Sequence, residues 1–300
     1  MNLFKIENCE RKRVFTILGI KFSKKKDENT IKKEKIKRQI FNALGYKPDL
    51  DNPQTLTEKA CYLKLKDDNP LKTILADKYA SRNWVKDRIG EKYLIPLLGV
   101  YDKFDDINFD NLPQKFIMKA NHGSGMNLLC MNKDIFDKAS AKEKFEKWMA
   151  TDYGLLAEEY HYSAIPRKIV IEKHIESQNN WLPDYKFFCF NGEPKFIDYH
   201  ERFDKEDFMA VYDVNWINQN CYLSYYSKLE QNIPKPDNLE EMLSIARKLS
   251  QGFDFVRVDL YSVNNKIYFG EMTMTPYCCL YKFADNHTDK EWGKLLNLSF

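Results

Sequence analysis

The stretch that most constrains this 300-residue chain is FDFVRVDLYSVNNKIYFGEMTMTP, residues 253–276. Runs rich in β-branched and aromatic residues flank an Asn-Asn pair, a pattern that predicts strand, turn, strand. Such a hairpin decides which side chains meet. Residues two apart on a strand share a face, so Arg257 and Asp259 point one way, and Glu271, Thr273 and Thr275 line one face of the partner strand. With VNN as the connection, Asp259 and Glu271 come to lie side by side. Two carboxylates in one cleft repel unless a cation holds them. Hard oxygen ligands suit Mg²⁺, which binds through one or two carboxylates plus phosphates. A surface acidic pair on a sheet face would give the same letters.

DYKFFCFNGEPKFIDYHERF, 184–203, predicts a second hairpin around its Asn-Gly pair. Lys186 points away from Tyr185 and Phe187, so it needs an anionic partner or a route to solvent. KFIMKA, 115–120, reads as a strand in which Lys119 stands just before NHGSGMN, 121–127. Glycines at that density serve turns or close backbone approach, and exposed N–H groups there suit phosphate. The loop lacks the GK[ST] ending of a Walker loop and the GxGxxG spacing of dinucleotide folds. Alone it is equally a tight turn. Beside Lys119, Lys186, Asp259 and Glu271 it outlines a nucleotide site.

The remaining segments frame this block. A helix start is expected at Thr55 or Thr57 with Glu58 in its first turn, a helical stretch over 69–90 with Gly90 as its stop, and a helix over 140–162 capped by Ser140. KIVIEKHI, 168–175, alternates as a strand, and 234–252 reads as a helix capped by Asp237 or Asn238. Helices in front, then strands and helices mixed with antiparallel hairpins, make an α+β pattern. The net charge of +3 carries no nucleic-acid signature, but residues 1–40 hold 13 basic against 5 acidic residues. That leader reads as a solvated arm and charged linker, or as a segment touching an anionic membrane face or an acidic partner. Seven cysteines at irregular spacing, without CxxC, read as scattered thiols in a reducing compartment. No apolar run is long enough to span a membrane.

Three long segments, 56–125 from LTEKACYLKL to NHGSG, 182–200 (LPDYKFFCFNGEPKFIDYH) and 252–276, resemble the TupA-like branch of the ATP-grasp superfamily. The similarity runs from about residue 40 to the end. The resemblance implies an α+β ATP-grasp fold with a preceding, mostly helical N-terminal region. The expected division is a basic leader and linker at 1–40, a substrate-side region at 41–112, and an ATP-grasp domain at 113–300 with subdomains 113–175 and 176–300. It implies ATP and Mg²⁺ as cofactors. Lys119 and Lys186 then hold phosphates, and His122, Gly123, Ser124 and Gly125 form the flexible loop over them. Glu172, Lys173 and Ile175 lie on the hinge strand that reads adenine, with Glu176 at the ribose. Asp259 and Glu271 become the metal ligands, with Thr273 where many relatives carry asparagine. Arg257, Lys186 and Arg202 become the catalytic group. Lys78, Arg82 and Asp184, with Asp77, fall on the substrate side, although helix-surface ion pairs would explain Asp77 and Lys78 equally.

The implied reaction is carboxylate–amine ligation through an acyl phosphate. Family members are associated with bacterial surface polysaccharide synthesis, which points to a hexuronic acid of a capsule glycan or its nucleotide-sugar precursor, joined to an amino acid or amino alcohol. The expected location is cytoplasmic, at the inner face of the membrane if the leader docks there. A glycosyltransferase of surface polysaccharide synthesis and a non-catalytic nucleotide-binding scaffold are the competing readings.

Overall fold

The computed structural model describes residues 4–9, 12–17, 20–66, 69–177, 182–203, 206–285 and 287–298, with backbone only for 4–9, 13–17, 20–25 and 202–203. The front of the chain folds as β1 (Phe4–Cys9), β2 (Lys12–Ile17) and β3 (Ile20–Lys25), an antiparallel sheet in that order. Strands therefore take up much of the expected leader as far as Lys25. Four helices follow: α1 (Glu28–Leu44), α2 (Leu56–Leu65), α3 (Pro70–Ala76) and α4 (Ser81–Ile89). Thr55 caps α2 in a reciprocal capping box with Glu58. The stretch expected as one helix over 69–90 is broken at 77–80, where Asp77 leaves helical geometry with ψ of 112°.

Strand β4 (Leu97–Tyr101) opens a four-stranded sheet with β5 (Phe116–Ala120), β6 (Asn127–Cys130) and, after α5 (Lys138–Ala150) and α6 (Tyr153–Ala157), β7 (Ile169–Lys173). Its order is β4-β7-β5-β6. This sheet thus begins before residue 113, because β4 pairs with β7. Asp137, not Ser140, caps α5, accepting from the Ser140 N–H at 2.9 Å. The expected long helix ends at Ala150 and restarts as α6, where Asp152 supplies a fresh cap.

The larger sheet contains β8 (Asp184–Phe190), β9 (Glu193–Phe203), β10 (Glu206–Asp213), β11 (Ser227–Lys228) and, after α7 (Leu239–Ser250), β12 (Phe255–Val263) and β13 (Lys266–Thr273). Its order is β11-β10-β9-β8-β12-β13. The β8–β9 turn has positive φ at Asn191 (51°) and Gly192 (80°), and the β12–β13 turn at Asn264 (50°) and Asn265 (59°). Positive φ at both central residues is what a right-twisted two-residue hairpin requires. Asn238 heads α7 without a capping bond; its side-chain amide instead donates to Ser262 Oγ at 2.9 Å.

Alternation splits the larger sheet. Tyr185, Phe187, Ile197, Val256 and Val258 pack on the apolar stripe of α7, with Leu75 of α3 and Val85 of α4. On the opposite face Phe188, Phe190, Phe255 and Met209 pack against α1, α2 and α8 (Thr288–Leu295). Two contacts clamp α8 to α2. Lys59 Nζ donates to the carbonyls of Gly293 and Leu296 at 2.8 Å each, and Asp289 Oδ1 accepts from the Thr57 N–H at 2.8 Å. A Cβ on Gly293 would lie 2.3 Å from the Gln54 carbonyl oxygen, so only glycine permits this approach. The upper part of that same sheet face is polar, and it carries the candidate site.

Candidate active site

Strand register builds a charged row across the larger sheet. Asp259 lies opposite Glu271 on one side and Lys186 on the other, and Lys186 lies opposite Asp198. A bulge follows Asp259, where Gly270 is passed over in the pairing. A Cβ on Gly270 would come 3.0 Å from the Asp259 carbonyl oxygen, so the bulge that aims the two acids depends on that glycine.

Arg257 grips Asp259 with two bonds, Nε to Oδ1 at 2.7 Å and Nη2 to Oδ2 at 2.6 Å. It also reaches the Thr273 hydroxyl at 3.2 Å and Glu271 at 3.5 Å. Thr273 donates to Glu271 Oε1 at 2.8 Å. Burial pushes Asp259 up to about 7, against the opposing pull of Arg257. Glu271 is held low: burial works to raise it, but Lys78, Arg257 and the Thr273 hydrogen bond outweigh that. Lys186 bonds Asp184, and although burial works to lower it, Asp184 and Asp259 hold its ammonium above the usual lysine range.

The smaller sheet faces this row with a second ion cluster. Glu172 accepts from Lys119 Nζ and from Arg82 Nη1, each at 2.7 Å, while Arg82 Nη2 donates to the Ile95 carbonyl at 2.6 Å. Arg82 thus belongs to a largely buried ion cluster, and Asp77, for which a helix-surface ion pair is the alternative expectation, is buried as well. Asp77 Oδ1 accepts from Asn121 Nδ2 at 2.8 Å, and Asn121 Oδ1 accepts from the Lys168 N–H at 2.7 Å. Lys78 donates to the Gly123 carbonyl at 2.5 Å. Burial lowers its ammonium, with Glu271 pulling the other way.

The glycine loop joins β5 to β6, and Lys119 pairs with Asn127 at its base. Its front half is pinned. His122, buried, contacts the Trp148 carbonyl through Nε2 at 3.1 Å, and burial lowers its pKa. A Cβ on Gly123 would lie 2.9 Å from Met126 Sδ and 3.0 Å from the Tyr153 ring, so this glycine serves close packing. Gly125, with φ of 70° and open space around it, is the loop's free corner, next to the exposed Ser124.

Beyond the row lies a cavity of about 690 Å³ between Pro96, Lys115, the strand end at Lys173–Glu176, and the β12–β13 turn with Tyr268. That volume is ordinary for a cofactor site. Lys173, His174, Ile175 and Glu176 line it, and the exposed Glu176 carboxylate pairs with Lys115 at 2.9 Å. The residues singled out in the sequence thus come from the two sheets, the glycine loop and the segment from Asp77 to Arg82. The side chain of Arg202 lies outside the described residues. Asn121, Tyr153 and Gly270 were not singled out, since their part lies in buried packing that a single sequence does not display.

A Mg²⁺ ion and nucleotide phosphates fit this donor set. Asp259 and Glu271 are adjacent hard-oxygen donors on neighbouring strands, and the half-buried Glu271 side chain stays reachable. Lys119, Lys186, Arg257 and Lys78 supply the compensating positive charge.

Two facing sheets, with carboxylates and lysines on both and a hinge cavity, define a nucleotide-gripping α+β protein. The family model described as TupA-like ATPgrasp matches residues 58–297, and the chain belongs to that family, with its ATP-grasp fold. ATP and Mg²⁺ are the cofactors of that class. None of the curated proteins matches the chain. Among solved structures, a D-alanine–D-alanine ligase from Bacillus anthracis complexed with ATP is similar at 20% identity and a TM-score of 0.41, over 67% of this chain and 55% of that one. The corresponding ligase from Helicobacter pylori gives 19% identity, a TM-score of 0.37, and 75% and 62% coverage. A phosphoribosylamine–glycine ligase from Thermotoga maritima gives 9% identity, a TM-score of 0.39, and 68% and 48% coverage. The chain spans about half the length of these structures.

Proposed function

We propose that this protein is an ATP- and Mg²⁺-dependent carboxylate–amine ligase. The observation that carries this reading is the Arg257–Asp259–Glu271–Lys186 row, set against Lys119 with its Glu172 anchor. ATP held by Lys119 and Lys186, with Mg²⁺ on Asp259 and Glu271, would supply the phosphoryl group that turns a poor carboxylate electrophile into an acyl phosphate. The chain's own residues do the rest. Glu172 and Asp184 hold the two lysines in place before any ligand arrives, so the positive charge needs no reorganisation when negative charge develops. Arg257, braced by Asp259 and stacked 5.3 Å over the Tyr277 ring, faces the same space. The loop at 122–126 would narrow the approach from solvent on closing, and water exclusion protects an activated acyl group.

The carboxylate is a hexuronic acid of a capsule or other surface polysaccharide, or of its nucleotide-sugar precursor, and the amine an amino acid or amino alcohol. The association of the family with surface polysaccharide synthesis supports this substrate class, and the basic leader supports a place at the inner face of the membrane. Lys78 and Arg82 provide cationic charge on the side where the acid would enter. The test is ADP release by purified protein. It should require Mg²⁺, a carboxylated sugar and a primary amine together. Glu271→Gln should lower that turnover at least 100-fold while leaving the circular dichroism spectrum intact. Turnover of a sugar nucleotide without ATP consumption would overturn the reading.

A further inference from the structure

The charged row does not stop at Lys186. It continues onto β9, where Asp198 lies opposite Lys186 and His200 opposite Asp184. Asp198 is fully buried and His200 is 7% exposed. Asp198 adds negative charge beside the Lys186 ammonium, but neither residue is among the phosphate or metal groups named above. Asp198 Oδ2 accepts from the Tyr277 hydroxyl, and His200 Nε2 lies 3.0 Å from that same hydroxyl. Nε2 is also 2.9 Å from Asp198 Oδ1, but without hydrogen-bond alignment, which leaves that buried oxygen with no aligned partner. Tyr226 stands edge-on to the imidazole at 4.7 Å.

The backbone is bent to make this cluster. Tyr277, Cys278 and Cys279 have φ of 52°, 56° and 63°, three consecutive non-glycine residues in the left-handed region. Such conformations persist where the surroundings over-determine them, and they concentrate at functional sites. Here the bend places the Tyr277 ring under Arg257 and its hydroxyl between Asp198 and His200.

Proton counting then fixes the histidine. A tyrosine hydroxyl has one proton, and it goes to Asp198. The Tyr277 oxygen can therefore only accept from His200, so Nε2 carries a hydrogen, and Nδ1 is the ring nitrogen left to take up or release a proton. We infer that Asp198, His200 and Tyr277 form the amine subsite, which takes a primary amine and receives its proton. This rests on the ligase reading above. An amine arrives as an ammonium ion and has no lone pair for attack. It gives one proton to His200 Nδ1. Its nitrogen then bonds to the acyl carbon, the carbon–oxygen bond to phosphate breaks, and phosphate leaves with that electron pair and the second nitrogen proton. Asp198 and Tyr277 are positioning residues that set the tautomer.

Two measurements on the full chain test this. In imidazole ¹⁵N–¹H spectra, with His200 assigned through His200→Gln, the ring should be the Nε2–H tautomer and its signal should move saturably with ethanolamine. An Nδ1–H tautomer, or a signal indifferent to ethanolamine, overturns the subsite. In the second, protein with ATP, Mg²⁺ and glucuronate is offered ethanolamine and hydroxylamine in competition. Hydroxylamine is mostly neutral near pH 7 and does not need the base. His200→Gln should shift the ratio of amide to hydroxamate about 100-fold toward hydroxamate, the lower end of general-base contributions. An unchanged ratio overturns the proposal. If the unaltered protein forms neither product, the ligase reading fails for this acid, and the spectra still decide whether an amine binds at His200.

Discussion

Asp289 shows how one half-buried carboxylate can make the whole fold answer to pH. It sits in the first turn of α8, and burial pushes it up to about 6, although the Thr57 N–H it accepts pulls it down. The folded chain therefore binds more protons than the unfolded chain between about pH 4 and 6. Stability falls as pH rises through that window, by about 3 kcal/mol for a shift of roughly two units. Asp289→Asn keeps an acceptor for Thr57 and removes the charge. Denaturant unfolding at pH 4, 5, 6 and 7 should show the two proteins diverging, the variant gaining on the original as pH rises. Parallel curves would rule this out. Glu172 makes the opposite case, because its charge is the useful form. Glu172→Gln would leave Lys119 and Arg82 half-buried without a counter-charge, and breaking a buried pair costs about 3–5 kcal/mol. A fall of that size in unfolding free energy is the expected result.

At the scale of elements, the parts legible in the sequence were those with local causes. Asn191-Gly192 and Asn264-Asn265 announce their turns because positive φ is a property of the residues themselves. Once those turns are placed, the period of two brings Arg257, Asp259, Glu271 and Thr273 together with no tertiary information. The row's lower half, Asp198 and His200, obeys the same alternation but carries no motif, so nothing local separates it from an ordinary strand. The break at 77–80 was hidden for another reason: Asp77 leaves the helix to meet Asn121, a partner 44 residues away. The capping of α5 by Asp137 over Ser140 turns on one residue of register, which helix signals do not resolve. Gly293 is the same kind of case, since nothing in its neighbours tells of the Gln54 backbone against it. Gly293→Ala forces α8 off α2 and should cost about 1–3 kcal/mol, as overpacking does. An unchanged denaturant midpoint would show that the two helices can part freely.

For the molecule as a whole, the smaller sheet is tied to the α3–α4 segment, which packs on the larger one, by Lys78 to the glycine loop, Asp77 to Asn121 and Arg82 to Glu172. A ligand that bridges both sheets should therefore stabilise the entire chain. ADP with Mg²⁺ at about 100 times its dissociation constant should add about 2.7 kcal/mol, and Glu271→Gln should remove the part that depends on Mg²⁺. Thermal melts with ADP alone, Mg²⁺ alone and both together separate these contributions. Equal melts in all conditions would mean that no bridge forms.

The clamp between α2 and α8 also bears on how the chain is made. Trp292 of α8 packs face to face on Phe196 of β9 at 4.0 Å between ring centres, in the core that α1 and α2 cover. During synthesis, α1, α2 and the strands of the larger sheet all leave the ribosome before α8 does, and domains settle as units. Until then the apolar faces of α1 and α2 have lost part of their cover, and the nascent chain must wait with that surface open. A ribosome stalled with residues 285 onward still in the exit tunnel should hold a protease-sensitive chain. One stalled after the whole chain has cleared the tunnel should hold a resistant one.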